Sequence, residues 1–179
     1  HKLHMNITQT ILADIKSLLP LPDDSVDVVW SSGVLEHFTA AEIVHVLSES
    51  RRVAGRLVVS LVPNARSMAY RIGKFVQERA KLWPYGFEDP KLTMRPFFEQ
   101  AGFRSVREFT VGAEHSINFL NVPGFESAAE SWRSFFASLS QLEKQELAQG
   151  YLLCTVGLVK ETPRLAVIPG DPPAAYEPY

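Results

Sequence analysis

The segment 13–38, ADIKSLLPLPDDSVDVVWSSGVLEHF, constrains the fold of this chain more than any other. Asp14 ends one apolar stretch, and a turn rich in leucine and proline follows it. The apolar run 26–30 comes next and opens into a loop of small residues at 31–33. A short continuous apolar run is typical of a strand buried on both faces of a parallel sheet. The segment therefore predicts an α/β fold with a ligand site at the carboxyl ends of its strands.

The flanking segments predict further strands and a helix around this one. A short strand is expected at 7–13, where β-branched residues alternate loosely. Thr39 and Glu42 form a capping box, which predicts that a helix starts just beyond His37 and runs to a stop at Gly55. The apolar run 56–62 follows as another buried strand, so that strand, helix and strand form a right-handed crossover unit.

The second half of the chain predicts helices and two more strands. A helix at 68–82 is expected to bury Met68, Ile72, Phe75, Val76 and Leu82, and a shorter helix is expected at 93–101. Capping boxes at 127–130 and 140–143 predict one broken helix or two short ones across 127–149, with Trp132, Phe135, Phe136 and Leu139 facing inward. The strands are predicted at 106–111 and 151–160.

Composition sets limits on the class of protein. The 179 residues fit one domain, and the net charge of −2 gives no reason to expect nucleic acid or an anionic membrane as partner. One cysteine, Cys154, excludes an internal disulfide, and its apolar surroundings favour a buried structural thiol over a nucleophile. No apolar stretch approaches the ~20 residues that span a membrane, so a cytoplasmic location is the expectation.

The domain organisation is simple. Residues 1–5, HKLHM, are interpreted as the remnant of a tag. Residues 6–161 are predicted to form the single domain. Residues 162–179 are rich in proline and are predicted to be a loosely packed tail.

Taken together, these motifs resemble the later part of a class I S-adenosylmethionine-dependent methyltransferase of type 11. The resemblance covers about 11–160 and is most specific at 13–64, where 62–64 read Val-Pro-Asn, and at 92–103. It implies a Rossmann-like sheet, whose family order is 3-2-1-4-5-7-6 with an antiparallel last-numbered strand. In this chain the first two strands of that sheet are missing.

The resemblance also implies a cofactor, S-adenosylmethionine, and residues that bind it. Asp14 and Ile15 match the positions that contact adenine, Asp14 through its carboxylate and Ile15 through its backbone. Ser31, Ser32 and Gly33 match the loop that approaches the methionine end, where small side chains let the backbone come close. The acceptor is expected to be a small molecule whose pocket is built from the irregular segments 63–91 and 112–130.

Glu36 and His37 match the mouth of the site and are the candidate catalytic residues. His37 is the candidate general base or substrate contact, although many enzymes of this class work by proximity alone. Glu36 could instead favour the start of the following helix. His45 and His115 have no partners at metal-ligand spacing and are interpreted as structural. The basic residues of 66–82 are interpreted as a solvated helix face rather than as a site for an anionic substrate.

One departure from the family pattern bears on every functional prediction. The family's glycine-rich cofactor turn cannot be placed, because no glycine precedes Gly33. The strand at 26–30 would then lack its usual neighbour and expose a hydrogen-bonding edge. Segment 7–13 could pair there, a separate polypeptide could supply the missing half, or two copies could associate. We favour a homo-oligomer that forms through the exposed sheet edge.

Two functions of different classes therefore stay open. The first is methyl transfer to an unidentified small molecule, incomplete in this chain alone. The alternative is a non-catalytic methyltransferase-like module that acts through oligomerisation or a partner. A nicotinamide-dependent reductase ranks below both, since its Gly-x-Gly-x-x-Gly signature is also missing.

Overall fold

The fold is built on one four-stranded mixed sheet. The computed structural model describes residues 11–18 and 20–160. The strands are β1 (Val26–Ser32), β2 (Ala54–Pro63), β3 (Ser105–Val111) and β4 (Leu152–Leu158), in the spatial order β1-β2-β4-β3. β1 and β2 are parallel, and β4 is antiparallel to both of its neighbours. This arrangement confirms the predicted α/β class and corresponds to the 4-5-7-6 part of the expected sheet, including its antiparallel strand.

Six α-helices connect or flank these strands in the part of the chain that is described. They are α1 (Ala40–Val53), α2 (Met68–Arg79), α3 (Arg95–Gln100), α4 (Ala113–Ile117), α5 (Glu126–Ser138) and α6 (Gln141–Leu147). Single turns of 3₁₀ helix lie at Leu35–His37 and Asn118–Leu120. No helix among these residues is long and apolar enough to span a membrane.

The start of α1 follows the capping rule, whereas its end does not follow the predicted glycine stop. Thr39 Oγ1 accepts from the Glu42 amide at 3.4 Å, and Glu42 Oε2 accepts from the Thr39 amide at 3.0 Å, which confirms the capping box. Gly55 does not end the helix but lies inside β2. The helix ends at Val53 because Ala54 is already extended and the chain enters the strand directly.

The two faces of the sheet are covered unequally. The main core packs Ile43 and Leu47 of α1, and Phe98 of α3, against Val58 and Val62 of β2. On the opposite face Val28 is 44% exposed, Trp30 is 63% exposed and Phe109 is 45% exposed. The run 26–30 was predicted to be a strand buried on both faces, and for β1 this burial is wrong. α1 and α3 lie together on one side, while these three side chains stay partly exposed on the other.

The helix α2 buries a different face from the predicted one. Met68, Phe75 and Leu82 are 51%, 57% and 71% exposed, while Ala69 and Tyr70 are buried. The reason is a close approach at Gly73, where a Cβ would lie 2.0 Å from the carbonyl oxygen of Phe119. Only a glycine allows the backbones to come this near, so the face with the smallest residue packs inward.

The predictions for the helices α5 and α6 are confirmed only in part. Ser140 caps α6 as predicted, and its hydroxyl accepts from the Glu143 amide at 3.3 Å. The capping box expected at Ser127 is wrong, because the N-cap of α5 is Phe125, two residues earlier, and has no side-chain cap. Phe135 is exposed, whereas Phe136 is buried as predicted.

Two of the remaining sequence-based interpretations can be compared with the described residues. Cys154 is buried as predicted, and burial raises the pKa of its thiol. Residues 11–13 lie in no strand, which contradicts that part of the predicted strand at 7–13. Residues 7–10, the interpreted tag at 1–5 and the tail 162–179 lie outside the described residues.

Candidate functional site

The predicted loop at 31–33 is shorter in the structure, because Ser31 and Ser32 are the last residues of β1 and the chain turns sharply only at Gly33. The φ angle of Gly33 is +68°, a left-handed value that other residues rarely adopt. Its amide donates to the carbonyl oxygen of Leu61 at 3.0 Å, which fixes the loop to the neighbouring strand β2. Ser32 and Gly33 are exposed, and Ser31 is half-buried. The backbone of this loop is therefore open to a ligand at the edge of the sheet.

Glu36 lies directly behind this loop and is almost completely buried. It is 2% exposed, and its Oε2 atom has no hydrogen-bond partner among the described residues. A Cβ placed on Gly33 would lie 3.6 Å from the other carboxylate oxygen, Oε1. Burial raises the pKa of Glu36, and the negative charge of Glu88 adds to that rise, while His37 and backbone amides oppose it in part.

His37 has a fixed orientation beside Glu36. Its Nδ1 atom lies 2.5 Å from the carbonyl oxygen of Phe87. A carbonyl only accepts, so Nδ1 carries a proton and donates it to that bond. The other ring nitrogen, Nε2, lies 3.9 Å from Glu36 Oε1 and is the one that can accept a proton. The side chain is 37% exposed, so both solvent and a ligand can reach it.

A second buried carboxylate, Glu88, approaches from the loop that follows α2. This loop is held to the site by the Asp89 amide, which donates to the Glu36 carbonyl oxygen at 3.0 Å. Glu88 is 8% exposed and accepts a hydrogen bond from the hydroxyl of Tyr70. Neither Glu88 nor Tyr70 was singled out from the sequence, although both lie in the segment 63–91 that was expected to build the acceptor pocket.

Five rings form an aromatic cluster on Tyr70, defined here as Tyr70, Trp83, Tyr85, Phe119 and Tyr151. The Tyr70 ring centroid lies 5.2 Å from that of Phe119 and 5.3 Å from that of Tyr151. Trp83 lies 6.2 Å from Tyr70 and 5.2 Å from Tyr85. Burial, with the charges of Glu88 and Glu36 contributing, raises the pKa of Tyr151 to about 12. Burial and the bond to Glu88 raise that of Tyr70, so both phenols keep their protons.

The predicted adenine contacts lie in a tight turn before β1. Asp14 is exposed, and its Oδ1 atom accepts from the Lys16 amide at 2.9 Å. Ile15 packs against the main core cluster, of which Leu35 is a member. The direct contacts of the site therefore join Gly33, Glu36 and His37, whereas the hydrogen bonds of Asp14 are local to its own turn.

The other histidines and the basic segment have structural surroundings. His45 Nε2 lies 2.7 Å from the Lys16 carbonyl oxygen, and His115 packs on Tyr151 with centroids 5.4 Å apart. In the described ranges no three potential metal-ligating side chains come together. Of the basic residues of 66–82, Lys74 is buried and contacts Glu78 at 2.5 Å, while the others are exposed: Arg66, Arg71, Arg79 and Lys81.

Comparison with known proteins identifies the fold. Residues 1–58 match the family model of a methyltransferase domain. A solved structure from Thermotoga maritima, titled a SAM-dependent methyltransferase and possible histamine N-methyltransferase, matches with a TM-score of 0.53 and 15% identity. The chain has the fold of the class I S-adenosylmethionine-dependent methyltransferases. The predicted resemblance is thereby confirmed.

A second class I methyltransferase structure gives the same result. This SAM-dependent methyltransferase from Archaeoglobus fulgidus matches with a TM-score of 0.51 and 18% identity. Both alignments cover 83% of this chain, but they cover only 62% of the Thermotoga protein and 66% of the Archaeoglobus protein. This chain therefore spans less than two thirds of the length of either protein. No curated protein matches its sequence.

Proposed function

We propose that this chain carries the acceptor side of an S-adenosylmethionine-dependent methyltransferase that acts on a small molecule. The observation that carries the proposal is the short stretch of chain that joins the end of β1 to Glu36. The exposed small residues at the carboxyl end of the strand, Ser32 and Gly33, lead within a few residues to the buried carboxylate of Glu36. In open α/β sheets a ligand binds at this end of the strands.

The residues present fit part of the cofactor. Gly33, with its left-handed φ, offers an exposed backbone and no side chain at the place where the methionine end would approach. Ser31 and Ser32 would flank it, while the exposed Asp14 and the backbone of Ile15 would meet the adenine. The bound cofactor supplies an activated methyl group on a sulfonium.

The protein's own residues would position the acceptor and handle its proton. The Phe87 carbonyl oxygen holds His37 so that Nε2 is free to accept a proton beside Glu36. The raised pKa of Glu36 brings this carboxyl closer to the pH at which a general base works best. Both groups are at the loop that leads from β1, so that acceptor and donor can be held in line.

A calorimetric titration with S-adenosylhomocysteine tests this function. We expect a micromolar dissociation constant, and Asp14→Ala should weaken it about tenfold, as the loss of a hydrogen bond to a charged group does. Asp27→Ala is the matched control, because Asp27 is an exposed aspartate on β1. The absence of binding at millimolar ligand would contradict the proposal and favour the non-catalytic module.

We further propose that the open edge of β1 pairs with a second copy of this chain. Within the described sheet β1 pairs on one side only, with β2, and it carries the exposed Val28 and Trp30. An unpaired edge with apolar side chains favours self-association. Light scattering at micromolar concentration should give a dimer mass, and Trp30→Lys should lower it. A strictly monomeric mass for the unmodified chain would contradict this proposal.

A further inference from the structure

We propose that the methyl acceptor is a protonated amine, which Glu36 and Glu88 hold as an ammonium beside the aromatic cluster. This inference rests on the proposed methyl transfer and names the substrate class of the same site. The described residues leave the buried carboxylate of Glu36 short of hydrogen-bond donors and of positive charge.

Glu36 lacks the partners that a buried carboxylate normally has. Its Oε2 atom is buried with no donor, and its one ion-pair partner among the described residues is His37, at 3.9 Å from Oε1. Buried charges in proteins are paired or bound to a ligand, because an unpaired one carries a large desolvation cost. An ammonium group has three donors and one positive charge, and it supplies what this carboxylate lacks.

Glu88 adds a second negative charge without adding a cation. Its hydrogen bond comes from the neutral hydroxyl of Tyr70, and no ion pair to it is found in the described ranges. Burial is the main reason that the pKa of Glu36 is raised, and the charge of Glu88 adds to that rise. His37, beside Glu36, is the one cation that an ion pair brings to these two carboxylates among the described residues, and the excess of negative charge attracts a cation.

The aromatic cluster provides walls that suit a cation. Ammonium groups bind over the faces of tryptophan and tyrosine rings, most strongly where water is excluded. The chain already shows such a contact on Trp83, since Lys74 Nζ lies 4.6 Å from the centroid of its ring. The charge of Lys74 is balanced by Glu78 at 2.5 Å, so Lys74 does not neutralise Glu36 or Glu88.

Gly33, which would approach the donor, is the exposed neighbour of Glu36. Gly33 has no side chain between solvent and Glu36 Oε1, and it is exposed. Tyr85 is 60% exposed, so a ligand can reach the outer ring of the cluster. A small amine that entered beside Gly33 would meet a carboxylate first and aromatic rings next.

The chemistry balances with these groups. The bound ammonium gives one proton to Glu36 and becomes a neutral amine with a free lone pair. That lone pair forms the new nitrogen–carbon bond to the methyl group, while the carbon–sulfur electron pair stays on sulfur. The product is a methylated ammonium, and the proton on Glu36 leaves to solvent or to His37 Nε2.

The test uses the whole chain without cofactor and compares amines with alcohols of the same shape. NMR titrations at pH 7.5 with 2-phenylethylamine and 2-phenylethanol, and with butylamine and butan-1-ol, measure the preference for charge. We expect the amine of each pair to bind about tenfold more tightly, and Glu36→Gln or Glu88→Gln to remove that preference. Equal affinity within both pairs, or no binding of any probe at millimolar concentration, would overturn the inference.

Two further variants separate a lost site from a lost fold. Glu99→Gln is the matched control, because Glu99 is an exposed glutamate on α3 and should keep the preference. Tyr85→Ala changes an exposed side chain and should weaken amine binding without unfolding the chain. A preference that survives in both glutamine variants would also overturn the inference. If the chain bound S-adenosylhomocysteine but showed no preference for amines, the proposed function would stand and only its substrate class would be wrong.

Discussion

The 3₁₀ turn Leu35–His37 and the first turn of α1 each carry one glutamate, and the fold treats the two in opposite ways. Glu36 is buried with one oxygen unpaired, and its pKa is raised chiefly by burial. Glu42 caps the helix, and hydrogen bonds from Thr39 are the main reason that its pKa is lowered. The difference separates a carboxylate placed for helix stability from one whose partners are incomplete. Glu36 therefore lacks the hydrogen bonds that define a helix cap.

This comparison also bears on the role of Glu36 at the start of α1, one of the two roles considered for it. A carboxylate that stabilises a helix start lies in the first turn, where it accepts from backbone amides. Glu42 occupies that place, and Thr39 rather than Glu36 precedes the helix as its N-cap. Glu36 stabilises no part of α1 in this way, so its burial needs another explanation.

The largest expected effect comes from removing the Tyr70 hydroxyl, which donates to the buried carboxylate of Glu88. Tyr70→Phe deletes the hydroxyl that bonds to Glu88 and leaves that carboxylate without a donor among the described residues. We expect the free energy of unfolding to fall by about 2 kcal/mol at pH 7, measured by urea denaturation. Tyr85→Phe, at an exposed position, is the control and should change it little. If Tyr70→Phe and Tyr85→Phe were equally stable, the hydrogen bond from Tyr70 to Glu88 would not stabilise the fold, which would contradict this expectation.

The second-largest expected effect tests the capping box at the start of α1. Thr39→Ala removes the hydroxyl that accepts from the Glu42 amide. We expect a loss of about 1 kcal/mol in the free energy of unfolding, as for other capping residues. Ser140→Ala removes the same motif from α6, a helix with no buried residues, and should cost less. If both variants lost the same amount, packing of α1 would not add to the value of its cap.

The smallest expected effect is a change in pH dependence at Glu36. Its folded-state pKa lies above the ordinary value of 4.5, so the folded chain binds this proton more tightly than the unfolded chain. The stability that protonation contributes is present below pH 4.5 and is lost as the pH rises through the folded pKa. Glu36→Gln should therefore stabilise the chain at pH 7 by up to about 1 kcal/mol and have little effect at pH 4. Thermal unfolding at both pH values measures this difference.

Glu42→Gln is the matched control and should show the opposite sign. The folded-state pKa of Glu42 is lowered, so its contribution is present above the ordinary value of 4.5 and is lost as the pH falls through the folded pKa. The variant should be less stable than the unmodified chain at pH 7 and should approach it under acid conditions. The same pH dependence in both glutamine variants would refute the contrast between the two carboxylates.

The sequence by itself determined the parts of this protein that depend on near neighbours. The capping boxes at Thr39 and Ser140, and the apolar strands at 26–30 and 56–62, were predicted because their signals lie within a few residues. The resemblance that those motifs carried then gave the sheet order and the antiparallel last strand. The turn at Gly33 was located for the same reason, although Ser31 and Ser32 of the predicted loop belong to β1.

Only the tertiary structure decided what depends on distant residues. The approach of Phe119 to Gly73 selected the buried face of α2, which its own apolar stripe did not predict. The packing of α1 and α3 on one side left Trp30 exposed, although Val28 and Val29 precede it in its strand. The loop after α2 brings Glu88 to the end of β1, because the Asp89 amide donates to the Glu36 carbonyl oxygen. The cost of burying charge depends on which atoms surround it in space, and that information is absent from any short stretch of sequence.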